Sequence, residues 1–446
     1  MSASLEDLLR DAKIEIVIAR FEKDPSVMKE LIGHLNSQIR TVRFNATLAL
    51  GEIGSESPEA VSELVACLED EDWSICREAA RSLGKFGQSA VDAIPGLTGL
   101  LSDKEVSIRK AAAVSLGSIG VATDEAVSGL VEALNDKNDE IQAEAARTLG
   151  KLGANAYKAI PNLIECLRNI SWSVRSAAAQ SIKEIGRGSI EAIPTLVKTL
   201  EDKDWRVRYR SIETLAEIGE EAIPELLKAL DHDNYVVRKG AIEALGEMKA
   251  TDKRVISSIA FRLQDGVEGV RGKSVDAMRS IGKEAIPTLV EAYAFVNTKM
   301  KVLMISAIGR MGSEGQDAIP FLKDELREGD KQVRAEAARA LGRMGAGRKN
   351  VAGALADSLK DKEVIVRREA ALSLGKLGQD ASDTIPHILG ALEDEEPDVR
   401  WRASEALGRI GVVDSKVISI LEDLLHDEFD YVSEAAQEAL DLIGGD

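Results

Sequence analysis

One apolar position, usually the leucine of an LGxxG ending, returns along the whole chain: Leu50, Leu83, Leu116, Leu149, Ile182, Leu215, Leu245, Met278, Ile308, Leu341, Leu374, Leu407 and Leu440. Ten of the twelve intervals are 33 residues and two are 30. A regular period of this size marks stacked repeats, in which each unit buries its apolar face only against its neighbours. At 446 residues, length alone would suggest two or three globular domains. The period replaces that expectation with a solenoid that grows without a central core.

Each period reads as two helices. The first often opens on Ile-Pro, as at Ile94-Pro95, Ile160-Pro161, Ile193-Pro194, Ile223-Pro224, Ile286-Pro287, Ile319-Pro320 and Ile385-Pro386. Proline suits a first helical turn, where its missing N–H has no partner to lose. The second helix follows an Asp-rich turn and carries apolar residues at helical spacing, as in Val366, Ala370, Leu374 and Leu377. It is predicted to end at a glycine four places after the anchor in every unit but one, where Lys249 stands. A second glycine, one place after the anchor (Gly342, Gly375, Gly408), falls inside the helix, where glycine costs about 1 kcal/mol against alanine. With the Ala79-Ala80, Ala112-Ala113, Ala337-Ala338 and Ala370-Ala371 pairs, it predicts close approach of neighbouring helices. Residues 2–23 read as one helix outside the repeat phase, so that residues 1–24 cap a single solenoid domain over 25–446. The first unit runs from about Pro25 to Gly54.

Two charged columns share the register. Arg43, Arg109, Arg175, Arg208, Arg238, Arg271, Arg334, Arg367 and Arg400 stand seven places before the anchor. Six places earlier come Asp70, Asp103, Asp136, Asp202, Asp265, Asp361, Asp394 and Asp427. A basic binding stripe is one reading. A structural Asp–Arg ladder between successive turns is the other, and the constant phase favours it, because stacking demands constancy and binding surfaces vary.

Taken together, Asp, Val-Arg, Ala-Ala, LGxxG and Ile-Pro resemble HEAT repeats, and the short 33-residue form is similar to the phycobilisome-lyase type, over residues 25–444. The resemblance implies an all-α, right-handed α-solenoid of about 13 two-helix HEAT-like repeats. It also implies two activities to weigh, a chromophore (phycobilin) lyase or isomerase and a di-iron hydroxylase built on His-Glu dipeptides. A DNA glycosylase or nucleic-acid binder is a third HEAT-like possibility. No His-Glu dipeptide occurs here, and His34, His232, His387 and His426 fall at different phases, which argues against the di-iron site.

No HExxH, phosphate-binding GxxxxGK[ST] or Gly-x-Ser-x-Gly occurs, so no catalytic residue, metal or cofactor is assigned. With 57 Lys and Arg against 76 Asp and Glu, the net charge is −19, which disfavours sequence-independent binding to nucleic acid. Cys67, Cys76 and Cys166 have neither metal-ligand nor disulfide spacing, and no membrane span or signal peptide is read. A reducing cytosol is the expected home.

Binding has better candidates. Positions six before, two before and two after the anchor lie on one exposed, variable face of the second helix. They run basic (Arg77, Arg81, Lys85, Lys110, Arg147, Lys151), then acidic (Glu184, Glu213, Glu217, Glu243, Glu247, Asp276, against Lys239), then basic again (Arg310, Arg339, Arg343, Arg368, Lys376). Trp73, Trp172, Trp205 and Tyr235 share the phase ten before the anchor, with Tyr209 nearby; Trp401 and Phe44 fall at an exposed phase. Aromatic residues of this kind are common binding hot spots, though each ring could instead pack over its own turn. Unit nine departs from the pattern with Tyr293, Phe295, Asn297, Met300 and Lys301, then Val302 and Leu303 where other units place charge. The sequence therefore points to a non-catalytic scaffold that holds a protein partner in its concave groove.

Overall fold

In a computed structural model, residues 3–53, 58–186, 188–345 and 349–444 are described; among them are α-helices and short 3-10 helices and no strand. Gly54, the expected end of the first unit, lies outside them. The chain divides into two compact units, residues 1–225 and 226–446. Each is a stack of helix pairs, with the second helices of successive repeats packed side by side.

In the first unit the expected capping helix is two helices, Leu5–Arg10 and Ile14–Lys23. Ala12 breaks them at φ +56. Ser4 starts the first with a reciprocal capping box to Asp7. Leu5, Leu8, Leu9 and Val17 are buried, and the Asn45 amide donates to the Leu9 carbonyl at 2.7 Å, tying the pair to the first repeat.

The repeat itself follows its sequence. Proline sits in the first turn of Ile94–Leu100, Ile160–Cys166, Ile193–Lys198, Ile319–Glu328 and Ile385–Ala391. Asp72, Asn138, Asp204, Asn234 and Asp330 cap the second helices through their side chains. Nine described closing glycines take φ between +52 and +85, the left-handed conformation that a Cβ disfavours. The seven residues that begin at several of them, such as Gly87–Ala93 and Gly153–Ala159, form 3-10 helices that lead into the next Ile-Pro helix.

The interior glycines are contact points. In the second unit a methyl placed at Gly246, Gly309, Gly342, Gly375 or Gly408 would lie 2.8, 2.7, 2.5, 2.9 and 2.9 Å from Ala277, Ala340, Ser373, Ala406 and Ala439 of the following repeat. In the first unit the residues facing Gly51, Gly84, Gly117 and Gly150 carry hydroxyls, and Thr214 takes the same place in the repeat that follows. Ser82, Ser115, Thr148, Ser181 and Thr214 donate to the carbonyls of Thr47, Ala80, Ala113, Ala146 and Ala179 at 2.7–3.2 Å. Small size at this position is legible in the sequence; the bond from one repeat back to the one before is not.

Candidate functional site

The Arg–Asp columns meet as bidentate pairs between successive repeats. Arg43–Asp70, Arg109–Asp136 and Arg175–Asp202 in the first unit have Nε–Oδ2 distances of 3.0, 2.6 and 2.5 Å. Arg238–Asp265, Arg334–Asp361, Arg367–Asp394 and Arg400–Asp427 in the second have 2.8, 2.8, 2.6 and 2.7 Å. Most of these arginines also donate Nη1 to the carbonyl six residues back, and the aspartate accepts the backbone N–H two residues on. Both partners are mostly buried, and each occupies the other's hydrogen-bonding groups.

Three members depart from the expected ladder; one is Arg271, which donates to the Asp265 and Gly266 carbonyls and has Phe295 where its column would place aspartate. The column places Cys76, not arginine, one repeat before Asp103, whose carboxylate caps the Glu105 N–H while its carbonyl accepts from Arg109. Among the described residues no carboxylate pairs with Arg208, which donates to the Asp202 and Lys203 carbonyls. In its column the shortened spacing puts His232 where aspartate would stand.

The aromatic phase is exposed. In the first unit Trp73, Trp172, Trp205 and Tyr209 all show substantial surface, and Trp205 is 62% exposed. The Arg206 guanidinium lies 3.6 Å above the Trp172 ring and 5.8 Å from that of Trp205, linking indoles of consecutive repeats. Asp204 holds Arg206 from the other side at 2.9–3.0 Å, and this bond keeps the Asp204 carboxyl below its ordinary value. Arg77 covers Trp73 at 5.0 Å and Arg210 approaches Tyr209 at 5.6 Å. Sequence reasoning does not pair these arginines with the rings; the available signals are an arginine directly after an aromatic residue (Arg206, Arg210) or one helical turn after it (Arg77). Tyr235, in the second unit, is also exposed.

Other aromatic and apolar candidates are less accessible than their phase predicts. Trp401 is part-buried, with Arg402 3.5 Å over its ring and Tyr431 edge-on at 5.6 Å. Phe44 is part-buried as well. Val302 and Leu303, in the helix Thr298–Met311, are part-buried rather than an open patch. Tyr293 is buried against Phe321 at 4.9 Å; burial, and then its hydrogen bond to Glu325, push the phenol well above its ordinary range. Phe295 is 90% exposed.

Many of the charges on the variable face are paired. In the first unit Arg81 meets Glu78 at 3.7 Å, Lys85 meets Glu52 at 2.7 Å and Arg147 meets Glu144 at 2.8 Å. Lys110 bonds Glu140, and Glu213 accepts from Arg210 at 2.7 Å. Lys151, Glu184 and Glu217 are exposed. In the second unit Glu243 pairs with Lys273 at 2.8 Å, while Arg339 bridges Glu336 and Glu369 at 2.5 and 2.9 Å. Arg368 reaches Glu369 at 3.3 Å and Asp398 at 3.4 Å. Glu247, Asp276, Arg310, Arg343 and Lys376 are exposed. Glu78 and Glu144 in the first unit, and Glu336 and Glu369 of consecutive repeats in the second, are themselves buried beneath the outer bases.

The three thiols are buried and free, and burial pushes each up to about 11. Among the described residues no group of three or more His, Cys, Asp or Glu could hold a metal ion, and no helix is long and apolar enough to cross a membrane.

This register matches a known family along nearly its whole length. HEAT repeats match residues 5–82, 28–117, 62–150, 94–183, 127–203, 160–246, 193–279, 223–295, 296–375 and 352–441. The chain belongs to the HEAT-repeat family. Among curated proteins none matches it. Among solved structures, this HEAT-repeat chain resembles Kap95p, from a complex in which Kap95p binding switches RanGDP loops, at 16% identity and a TM-score of 0.50. That match covers 95% of this chain and 66% of the other. Kap121p bound to Ste12p matches at 14% identity and a TM-score of 0.50, covering 96% of this chain and 53% of that one. At such identities the likeness is one of fold, and the chain spans about half to two thirds of these karyopherins. The CpcE–CpcF complex of phycocyanin lyase from Nostoc sp. PCC7120 matches 52% of this HEAT-repeat chain and 92% of its own at 26% identity, with a TM-score of 0.33.

Proposed function

We propose that this HEAT-repeat protein is a non-catalytic scaffold that binds a protein partner through the exposed faces of its second helices. The observation that carries the reading is the Trp172–Arg206–Trp205 cluster. Two large rings from consecutive repeats stay in solvent, yet a guanidinium already anchored to Asp204 holds them in place. Rigid aromatic groups lose little conformational entropy on binding, and tryptophan and arginine dominate interface hot spots. The paired charges around them would select and steer a partner more than hold it.

The experiment is affinity capture of partners from the native host with wild-type protein and with a Trp172→Ala, Trp205→Ala, Tyr235→Ala variant. The variant should lose the captured partner and keep its melting temperature within a few degrees. Unfolding of the variant would make the rings structural, and unchanged capture would remove them from the interface.

A further inference from the structure

In the second unit the position two after the anchor holds a base in four consecutive repeats: Arg310, Arg343, Lys376 and Arg409. All four side chains are exposed. Among the described residues no carboxylate pairs with Arg310, Arg343 or Lys376, and Arg409 reaches only Glu405, at 3.8 Å. The contrast with the rest of this face is sharp, since Arg339, Arg368 and Arg402 each have an acidic partner within 3.5 Å. The first unit has no such run at this position: Lys85 is paired with Glu52, and the following repeats place Ser118, Lys151 and Glu184 there. A protein of net charge −19 thus keeps a row of four cations, three of them without a direct ion-pair partner among the described residues, although buried Glu369 acts electrostatically on Lys376. Burial lowers the Lys376 ammonium below its usual value; Arg343 of the same row adds to this, Glu369 opposes it, and Arg339 and Arg409 add less.

Each of the four bases follows an interior glycine, Gly309, Gly342, Gly375 or Gly408. Those glycines bring successive helices into backbone contact, which sets the row at the short spacing of packed helices, about 8–10 Å. A polyproline II strand has three residues per turn and rises about 3.1 Å per residue, so every third side chain returns to one face after about 9.3 Å. We infer that the Arg310–Arg343–Lys376–Arg409 row binds an extended acidic protein segment with a carboxylate at every third residue, one per repeat. A nucleic-acid strand fits less well. Along a duplex the phosphates of one strand follow one another at about 3.4 Å of helix axis, so a row spaced at about 9 Å leaves most of them unmet. The inference rests on the scaffold reading only in taking a protein segment as the occupant.

The test uses the full-length chain and two fluorescent peptides of identical composition. One has glutamate at every third of twelve positions with Pro and Ala between; the other has its four glutamates contiguous. Anisotropy should show the spaced peptide binding at least several-fold more tightly, with affinity falling as salt rises. Arg343→Glu with Lys376→Glu should weaken it by about tenfold or more, the effect of replacing two exposed attractions with repulsions. Equal binding of the two peptides, no effect of the double charge reversal in a variant that remains folded, or equal competition by an oligothymidine of the same charge would overturn the inference. The aromatic variant of the previous section should bind the spaced peptide like wild type. Failure of the peptide to bind wild type therefore removes this row alone and leaves the aromatic reading to its own capture experiment.

Discussion

Asn169 donates its side-chain amide to the Gln142 side-chain carbonyl at 2.7 Å, in the place where neighbouring repeats set aspartate against arginine. The neutral pair keeps the backbone hydrogen bonds that flank the charged one, while the bond across the rung is single and runs in the opposite direction. Gln142 Nε2 donates to the Asp136 carbonyl at 2.6 Å, as Arg109 does to that of Asp103, and Asn169 Oδ1 accepts the Ser171 N–H as Asp136 accepts that of Asn138. One rung of the ladder is thus uncharged yet keeps its ties to the flanking backbone.

Exchange at this rung should therefore be strongly coupled. Asn169→Asp alone places a part-buried carboxylate against an amide and should destabilise by about 1–3 kcal/mol. Adding Gln142→Arg should recover most of that loss, giving a favourable coupling of about 1–3 kcal/mol in a double-mutant cycle measured by urea unfolding. Additive effects of the two substitutions would mean that the rung does not act as a pair.

The charged rungs make stability depend on acid. The Arg400 hydrogen bond holds the Asp427 carboxyl below its ordinary value, against the desolvation that raises it. At Asp361 desolvation is the largest influence, and the Arg334 bond with the Glu363 N–H outweighs it, so that carboxyl too is lowered. A depressed folded pKa means that the unfolded chain takes up protons first. The contribution is complete above the unfolded value of about 4 and is lost as pH falls through the folded value. Melting temperature should drop steeply from about pH 5 to pH 3, and Asp427→Asn should flatten that slope while lowering stability at pH 7. A slope unchanged by the substitution would contradict the assignment.

Most of the fold was legible because stacking repeats the same demand in every unit. Anchor, Ile-Pro opening, closing glycine and Arg–Asp phase each appear many times, so a single chain supplies its own comparison. The misses come from features that occur once or depend on direction. Residues 2–23 have helical composition throughout, and nothing there announces that Ala12 adopts φ +56 and splits the cap. Trp401 occupies an exposed phase, yet Arg402 and Tyr431 close over it, a contact set by side-chain direction and not by register. The charge blocks were readable residue by residue, but only coordinates separate the paired bases, such as Arg339, from the unpaired ones, such as Arg343.

Alanine at two helical glycines should have opposite effects. At Gly342 a new Cβ would stand 2.5 Å from Ser373 and 2.8 Å from its Cα, with backbone that cannot retreat without separating two repeats. Gly342→Ala should cost about 1–3 kcal/mol through overpacking. At Gly353, inside the helix Lys349–Asp357, nothing lies within 4 Å, so Gly353→Ala should stabilise by about 0.5–1 kcal/mol through helix propensity and a less disordered unfolded state. Thermal melts of the two variants distinguish contact from propensity, and a shift in the same direction would refute the account.

Lys249 stands where other repeats close with glycine, and it adopts the glycine conformation regardless, at φ +52. Its N–H donates to the Gly246 carbonyl at 3.1 Å and the Ala250 N–H to that of Leu245 at 3.3 Å, so the helix ending is formed despite the Cβ. Neighbouring packing therefore imposes a left-handed residue that costs about 1 kcal/mol or more in an L-amino acid with a side chain. Lys249→Gly should remove that strain and, after the extra entropy of glycine in the unfolded chain, stabilise by about 0.5–1 kcal/mol. Lys249→Ala keeps the Cβ and should gain nothing, which separates backbone strain from any effect of the charge. Equal stabilisation by both substitutions would place the cost in the lysine side chain instead.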